Sequence, residues 1–155
     1  AGMGLILKHH GIPLVGVHVA GMEAMGDVLA GRSPSPPRSD SLADGVRVSA
    51  PGALTSSMCR HVLDDIVTVT EAELRDAMAH LMTKEQLVTE GAGALATAAL
   101  HKIPGRRKLA VVSGGNIDPA QIIKVLGGRP APAREPAATV RPPRPARPLV
   151  AARRQ

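Results

Sequence analysis

Two rhythms of apolar and polar positions alternate along residues 1–126: helical spacing, and short unbroken apolar runs. Gly2 to His10 reads as the end of a helix, which Gly11 and Pro13 stop. Leu14-Val-Gly-Val-His-Val19 is a continuous run that suits a strand buried on both faces of a parallel sheet. A helix over Met22 to Leu29 gives way to a Pro- and Ser-rich connector, Arg32 to Ser41. Leu54 to Leu63 is helical by pattern, and Ile66-Val-Thr-Val69 is the next short strand. Thr70 opens a helix with a Thr-x-x-Glu capping box completed by Glu73. That helix runs to about Leu81, with Leu74, Ala77, Met78 and Leu81 on one face.

Glu90-Gly-Ala-Gly-Ala94 leads into an Ala-rich helix ending near Leu100. Lys108-Leu-Ala-Val-Val112 then reads as a buried strand running straight into a Ser113-Gly-Gly-Asn116 loop. Asp118 is a good N-cap, Pro119 suits the first helical position, and Gln121 completes a second capping box. Strand and helix in this alternation predict an α/β fold, an open parallel sheet flanked by helices.

After Leu126 the character changes. Residues 127–155 are mostly Pro, Ala and Arg, with seven arginines and one acid. That stretch carries the whole net charge of +6, so residues 1–126 are formally neutral. It has no hydrophobic period and cannot offset its ordering entropy by burial, so a disordered tail is expected. A nucleic-acid-binding arm, a solvated linker and a frameshifted translation are its three readings. With no aromatics between the arginines for base stacking, and a neutral body, nucleic acid is not an expected partner.

The chain has 155 residues and no Phe, Tyr or Trp, so Leu, Val, Ile, Ala and Met must fill its core. No apolar run approaches the roughly 20 residues of a membrane helix, so no membrane association is expected. A basic-then-apolar leader is also lacking. The chain opens inside a helix without an initiator Met and reads as a cut piece. The single cysteine, Cys59, cannot form an internal disulfide and is compatible with a reducing cytoplasm.

Candidate chemistry gathers around the Ser-Gly-Gly loop. A strand that ends in a small, backbone-rich loop at the mouth of an open sheet is where such folds hold ligands. Ser113 can give or take a hydrogen bond, and Gly114 and Gly115 let a flat ring approach the backbone. Glu90 reads by itself as an acid favoured at a helix N-terminus. Asp44 reads by itself as a turn-former ahead of Gly45. The Asp64-Asp65 pair points to opposite sides of a strand and reads as structural. His9, His10 and His61 lack a second ligand at metal spacing, and no metal site is assigned.

Five segments, in order, resemble the threonine dehydratase family: Ala43-Asp-Gly45, Pro51-Gly-Ala-Leu-Thr55, Leu63-Asp-Asp-Ile-Val-Thr-Val69, Val88-Thr-Glu-Gly-Ala-Gly-Ala94 and Ser113-Gly-Gly-Asn-Ile-Asp118. The likeness is strongest to the short, catabolic-type threonine/serine ammonia-lyases and covers Leu42 to Val125, with residues 1–30 fitting more loosely. It implies a tryptophan-synthase-β-like fold that binds pyridoxal 5'-phosphate, of which residues 1–126 are the C-terminal portion. It further implies that Ser113 hydrogen-bonds the pyridine nitrogen, that Gly114 also contributes to cofactor binding with Glu90 near the ring, and that Asp44 and Gly45 line the substrate side. The implied substrate is a small hydroxy amino acid, and the implied full-length enzyme is a cytoplasmic homo-oligomer.

The family also needs a Schiff-base lysine and a glycine-rich phosphate loop, and it supplies both earlier in sequence. None of Lys8, Lys84, Lys102, Lys108 or Lys124 stands in such a context, so no catalytic residue is expected in this chain. Where relatives with a divalent-cation site carry an acid, this chain has His18. The expected activity is therefore that of a threonine or serine ammonia-lyase of which this is a fragment. A serine racemase or another β-eliminating enzyme of the same fold is the alternative. A non-catalytic half-domain with a basic interaction tail is the alternative from another class.

Overall fold

The computed structural model describes residues 1–38 and 40–127. The expected tail lies outside the described residues apart from Gly127. The elements are helix α1 (Gly2–His9), strand β1 (Val15–Val19), helix α2 (Ala24–Leu29), helix α3 (Ala53–Val62), strand β2 (Asp65–Val69), and helices α4 (Glu71–Thr83), α5 (Gly91–Ala98) and α6 (Pro119–Leu126). A single 3₁₀ turn, Asp44–Val46, sits between α2 and α3.

β1 and β2 pair in parallel, with Val15 opposite Asp65 and Val19 opposite Val69. Their C-terminal ends are the buried ends: Val19 and Val69 are both fully inaccessible, while the rest of β1 is half-buried. This differs from the expected burial on both faces, because the described sheet has only two strands and its faces are incompletely covered. α4 and α5 cover the buried end, joined by Leu42, Ala43 and Val125 in one core. On α4, Leu74, Ala77, Met78 and Leu81 form the inward face, as their spacing predicts. α5 answers with Ala94, Leu95 and Ala98, and no aromatic ring holds the two helices apart.

The run Lys108-Leu-Ala-Val-Val112, expected as a strand, belongs to no ladder among the described residues. Leu109 is 88% exposed and Val111 and Val112 are also open. An apolar run specifies the extended shape, but a strand also needs a neighbour to take its backbone N–H and C=O groups. β1 and β2 pair only with each other, and neither reaches this segment.

α4 starts as the sequence predicts. Thr70 accepts from the Glu73 N–H at 3.2 Å, and the Glu73 carboxylate accepts from the Thr70 N–H at 2.7 Å. The same carboxylate takes Lys102 Nζ at 2.9 Å and His101 Nε2 at 2.9 Å, and Lys102 also donates to the Thr68 carbonyl. One side chain thus ties the end of β2 and the start of α4 to the turn after α5. At α6, Asp118 caps the Ala120 N–H at 2.8 Å with Pro119 behind it, but Gln121 does not return a bond.

The hydrogen bond from Thr70 N–H, then the one from Lys102, lower the Glu73 carboxyl from 4.5 to about 2. The folded state therefore binds fewer protons than the unfolded one between those values. The stabilisation is complete above pH 4.5 and vanishes as the pH falls to about 2. Glu73→Gln is expected to cost about 1 kcal/mol at neutral pH, the scale of a lost cap interaction. Urea titrations of both proteins across that range should show the gap close as the pH drops.

Candidate functional site

The site is built where the start of α5 meets the loop after residues 109–112. Glu90 is the N-cap of α5, with extended backbone (φ −69°, ψ 163°), so the chain enters the helix sideways and leaves its N–H free to bond outward. That N–H donates to the Gly114 carbonyl at 2.9 Å. Beside it Thr89 is only 1% exposed. Its Oγ1 lies 2.8 Å from the Ser113 carbonyl, 3.0 Å from that of Gly114 and 3.1 Å from that of Glu90. A hydroxyl has one proton to give, and the Ser113 carbonyl is the nearest acceptor.

Two glycines make the contact possible. At Gly93 a Cβ would collide with the Ser113 carbonyl, so only a bare Cα lets α5 lie against the loop. Gly114 has φ +67°, in the left-handed region, and a Cβ there would run into the Glu90 carboxylate. The Glu90 side chain accordingly lies across Gly114.

The third wall comes from the 3₁₀ turn. Its entry is fixed by Ser41 Oγ accepting the Ala43 N–H at 3.0 Å and by Glu71 Oε2 accepting the Leu42 N–H at 3.2 Å. Glu71 Oε1 is buried with no partner among the described residues. On the turn, a Cβ at Gly45 would stand 3.1 Å from Ala92 Cβ and 3.7 Å from Glu90 Oε1. Gly45, Glu90 and Gly114 therefore converge. Ser113 joins them through its backbone, with its hydroxyl exposed and unbonded among the described residues. Asp44 is next to Gly45 and exposed. Gly45 and Val46 also line an apolar cleft of about 510 Å³, reaching to Gly16–His18 of β1 and Cys59 of α3.

The charges sort the described residues in an informative way. Every acidic side chain there has a hydrogen-bond or ion-pair partner except Asp44 and Glu90. Asp64 holds Lys8 at 2.7 Å and receives the Leu14 N–H at 2.8 Å, the structural role its spacing suggests. Asp27 takes the Arg32 guanidinium and the Ser35 N–H, and the Arg32 bond holds its carboxyl below the usual range. His18 packs beside Gly26, and burial pushes its imidazole below the usual value against the pull of Glu23 and Asp27. Among the described residues no group of three His, Cys, Asp or Glu is placed to hold a metal. The lysines with partners are also engaged elsewhere: Lys102 on Glu73 and Lys108 on the Leu100 carbonyl at 2.8 Å.

Together these groups form a polar edge backed by bare backbone: a free hydroxyl, a carboxylate and a glycine surface. Such an edge fits a flat heterocycle that presents one nitrogen. Thr89 and Gly93 escaped the sequence reading. Thr89 looks like a strand-former and Gly93 like one small residue among several, and their partners lie 20 or more positions away in Ser113 and Gly114. The signal available was a lone hydroxyl residue in an apolar run just ahead of the Glu-Gly-Ala-Gly segment.

Residues 1–114 match a family described as pyridoxal-phosphate dependent enzyme. The catabolic L-threonine dehydratase TdcB of Escherichia coli (strain K12) is 46% identical over 92 residues, which are 56% of this chain and 28% of that protein. The crystal structure of the T.th. threonine deaminase superposes with a TM-score of 0.65 and 33% identity, over 76% of this chain and 45% of that one. The processed form of threonine deaminase isoform 2 from Solanum lycopersicum gives 0.71 and 25%, over 81% and 39%. The chain thus shares the α/β fold of threonine deaminases and spans less than half the length of each of these proteins.

Gly93→Ala and Gly114→Ala are expected to be disruptive, the first by overlap with a carbonyl and the second by backbone strain of about 1–2 kcal/mol plus displacement of Glu90. Gly115→Ala, whose Cβ would meet only the Val88 carbonyl at 3.7 Å, should stay within roughly 0.5 kcal/mol of the parent. Denaturation midpoints of the three variants check this order.

Proposed function

The chain belongs to the family of pyridoxal-phosphate-dependent enzymes, and on that premise we propose that it is the C-terminal portion of a threonine or serine ammonia-lyase. The supporting observation is the convergence of Glu90, Gly114 and Gly45 beside the free Ser113 hydroxyl. In this reading residues 1–126 are the part that carries the site, and residues 127–155 take no part in it. The substrate is a small hydroxy amino acid, converted to a 2-oxo acid and ammonia with loss of its β-hydroxyl. The full-length enzyme works as a homo-oligomer in the cytoplasm; no helix among the described residues is long and apolar enough to cross a membrane.

The cofactor supplies an electron sink for the charge that develops at the substrate Cα while the hydroxyl leaves. Ser113 would hold the ring nitrogen through a neutral hydrogen bond, which would leave that nitrogen less protonated than a carboxylate partner would. A neutral partner at that position would suit elimination better than chemistry needing a strongly electron-withdrawing ring. Gly114 would bring backbone in place of a side chain to the ring, with the Glu90 carboxylate lying against it as a negative edge. Asp44 and Gly45 line the side where the amino acid lies. The residues present fit the nitrogen edge of the cofactor; none of the lysines is placed beside this edge by a bond to its residues.

Two outcomes test this. Ser113→Ala in the full-length enzyme should keep the fold and weaken cofactor binding about threefold to tenfold, the worth of one neutral hydrogen bond. Turnover should fall further than affinity does, and Ser113→Asp should shift the ratio of elimination to racemisation. Unchanged affinity, turnover and product ratio in both variants would reduce Ser113 to a turn residue. Separately, the 155-residue chain mixed with pyridoxal phosphate should give no borohydride-trappable adduct. A stoichiometric adduct at one lysine, found by mass spectrometry, would contradict the division of roles proposed here.

A further inference from the structure

We infer that Thr89 is a positioning residue, whose buried hydroxyl locks the Ser113–Gly114 loop onto the start of α5 and thereby aims the Ser113 side chain. This rests on the reading that Ser113 meets the cofactor ring, and it adds the group that makes Ser113 competent to do so. Three carbonyls, those of Glu90, Ser113 and Gly114, point their negative ends at the Thr89 Oγ1 within 3.1 Å. The Gly114 carbonyl has a second donor in the Glu90 N–H. For the Ser113 carbonyl, Thr89 is the hydrogen-bond donor that the described residues provide.

A carbonyl packed against α5 beside a buried side chain is costly to leave without a donor, and so is the mutual repulsion of aligned carbonyl dipoles. Replacing the hydroxyl by a methyl of the same shape leaves both penalties in place. The Ser113 peptide can then escape only by rotating its carbonyl away, and Gly93 offers no side chain to resist that movement. With that carbonyl released, the Ser113 backbone is no longer fixed against α5, so the loop shifts and the hydroxyl is lost to the ring although Ser113 itself is unchanged. Ser113 is surface-exposed and has no side-chain bond of its own among the described residues. Its direction is therefore inherited from its backbone, and the backbone is held from below by Thr89.

The test uses Thr89→Val, which keeps the shape, and Thr89→Ser, which keeps the hydroxyl, in the full-length enzyme. With cofactor removed, amide exchange at Glu90, whose N–H bonds the Gly114 carbonyl, should be at least about tenfold faster in Thr89→Val and return to within about threefold of the parent in Thr89→Ser. Cofactor affinity should fall about tenfold in Thr89→Val but less than about twofold when Val is introduced into a Ser113→Ala background, since Thr89 acts through Ser113. Parent-like exchange in Thr89→Val overturns the inference, as does a tenfold affinity loss that persists without the Ser113 hydroxyl. If Ser113→Ala leaves affinity unchanged while Thr89→Val still speeds exchange, the Ser113 assignment fails, and Thr89 is reduced from a positioning residue to a clamp.

Discussion

Two polypeptide backbones touch at the start of α5, and the candidate site depends on that contact. A helix normally keeps other main chains at a distance set by its side chains. At Gly93 there is no side chain, and the Ser113 carbonyl occupies the space a Cβ would take. Once the backbones are this close, the polar groups turned toward the contact must be paired across it. The Glu90 N–H and the Thr89 hydroxyl supply that pairing. The geometry of Ser113, Gly114 and Glu90 follows from this one approach, and Gly45 closes it from the far side through Ala92.

The same economy of side-chain size shapes the rest of the core. Without a single aromatic residue, burial is assembled from Leu74, Met78, Leu81, Val19, Val69 and Val125, each adding about 1.5–3 kcal/mol when fully buried. Small partners on α5 let those residues close against the helix, so the lack of bulk and the close approach are two sides of one packing solution. Such a core has little surplus, and the polar hub at Glu73 compensates in part by fastening β2, α4 and the turn after α5 to one another. The hub secures the C-terminal end of α5, and the Thr89 contact secures its N-terminal end.

What was legible in the sequence was local. Thr70 with Glu73, and Asp118 with Pro119, announce helix starts through bonds that span three residues or fewer, and both caps are present. The inward face of α4 follows from spacing alone. The site residues named from the family likeness come together as a cluster around Glu90, except that Ser113 takes part through its carbonyl and Asp44 stays on the exposed rim. The segment 109–112 was illegible as to pairing, because a ladder is a property of two segments and the run encodes only one of them. Thr89 was illegible for a related reason: its partners lie 24 and 25 positions away, and nothing in its immediate neighbours distinguishes a buried donor from an ordinary strand-former.

A fold uses its polar groups either to complete itself or to meet something else. Here the completion is thorough: Asp27, Asp64 and Glu73 each hold a cation and a backbone N–H, and Lys8, Lys102 and Lys108 are all committed. Asp44 and Glu90 stand apart as the acids left without partners among the described residues, and both flank Gly45 at the mouth of the Ser113 loop. At Glu90 the helix dipole favours the charge, but no side chain or backbone donor among the described residues pairs it, and the Ser113 hydroxyl beside it is likewise unbonded. Folding alone does not require these groups to meet at one place between Gly45 and Gly114, and that concentration is the ground on which the proposed binding edge rests.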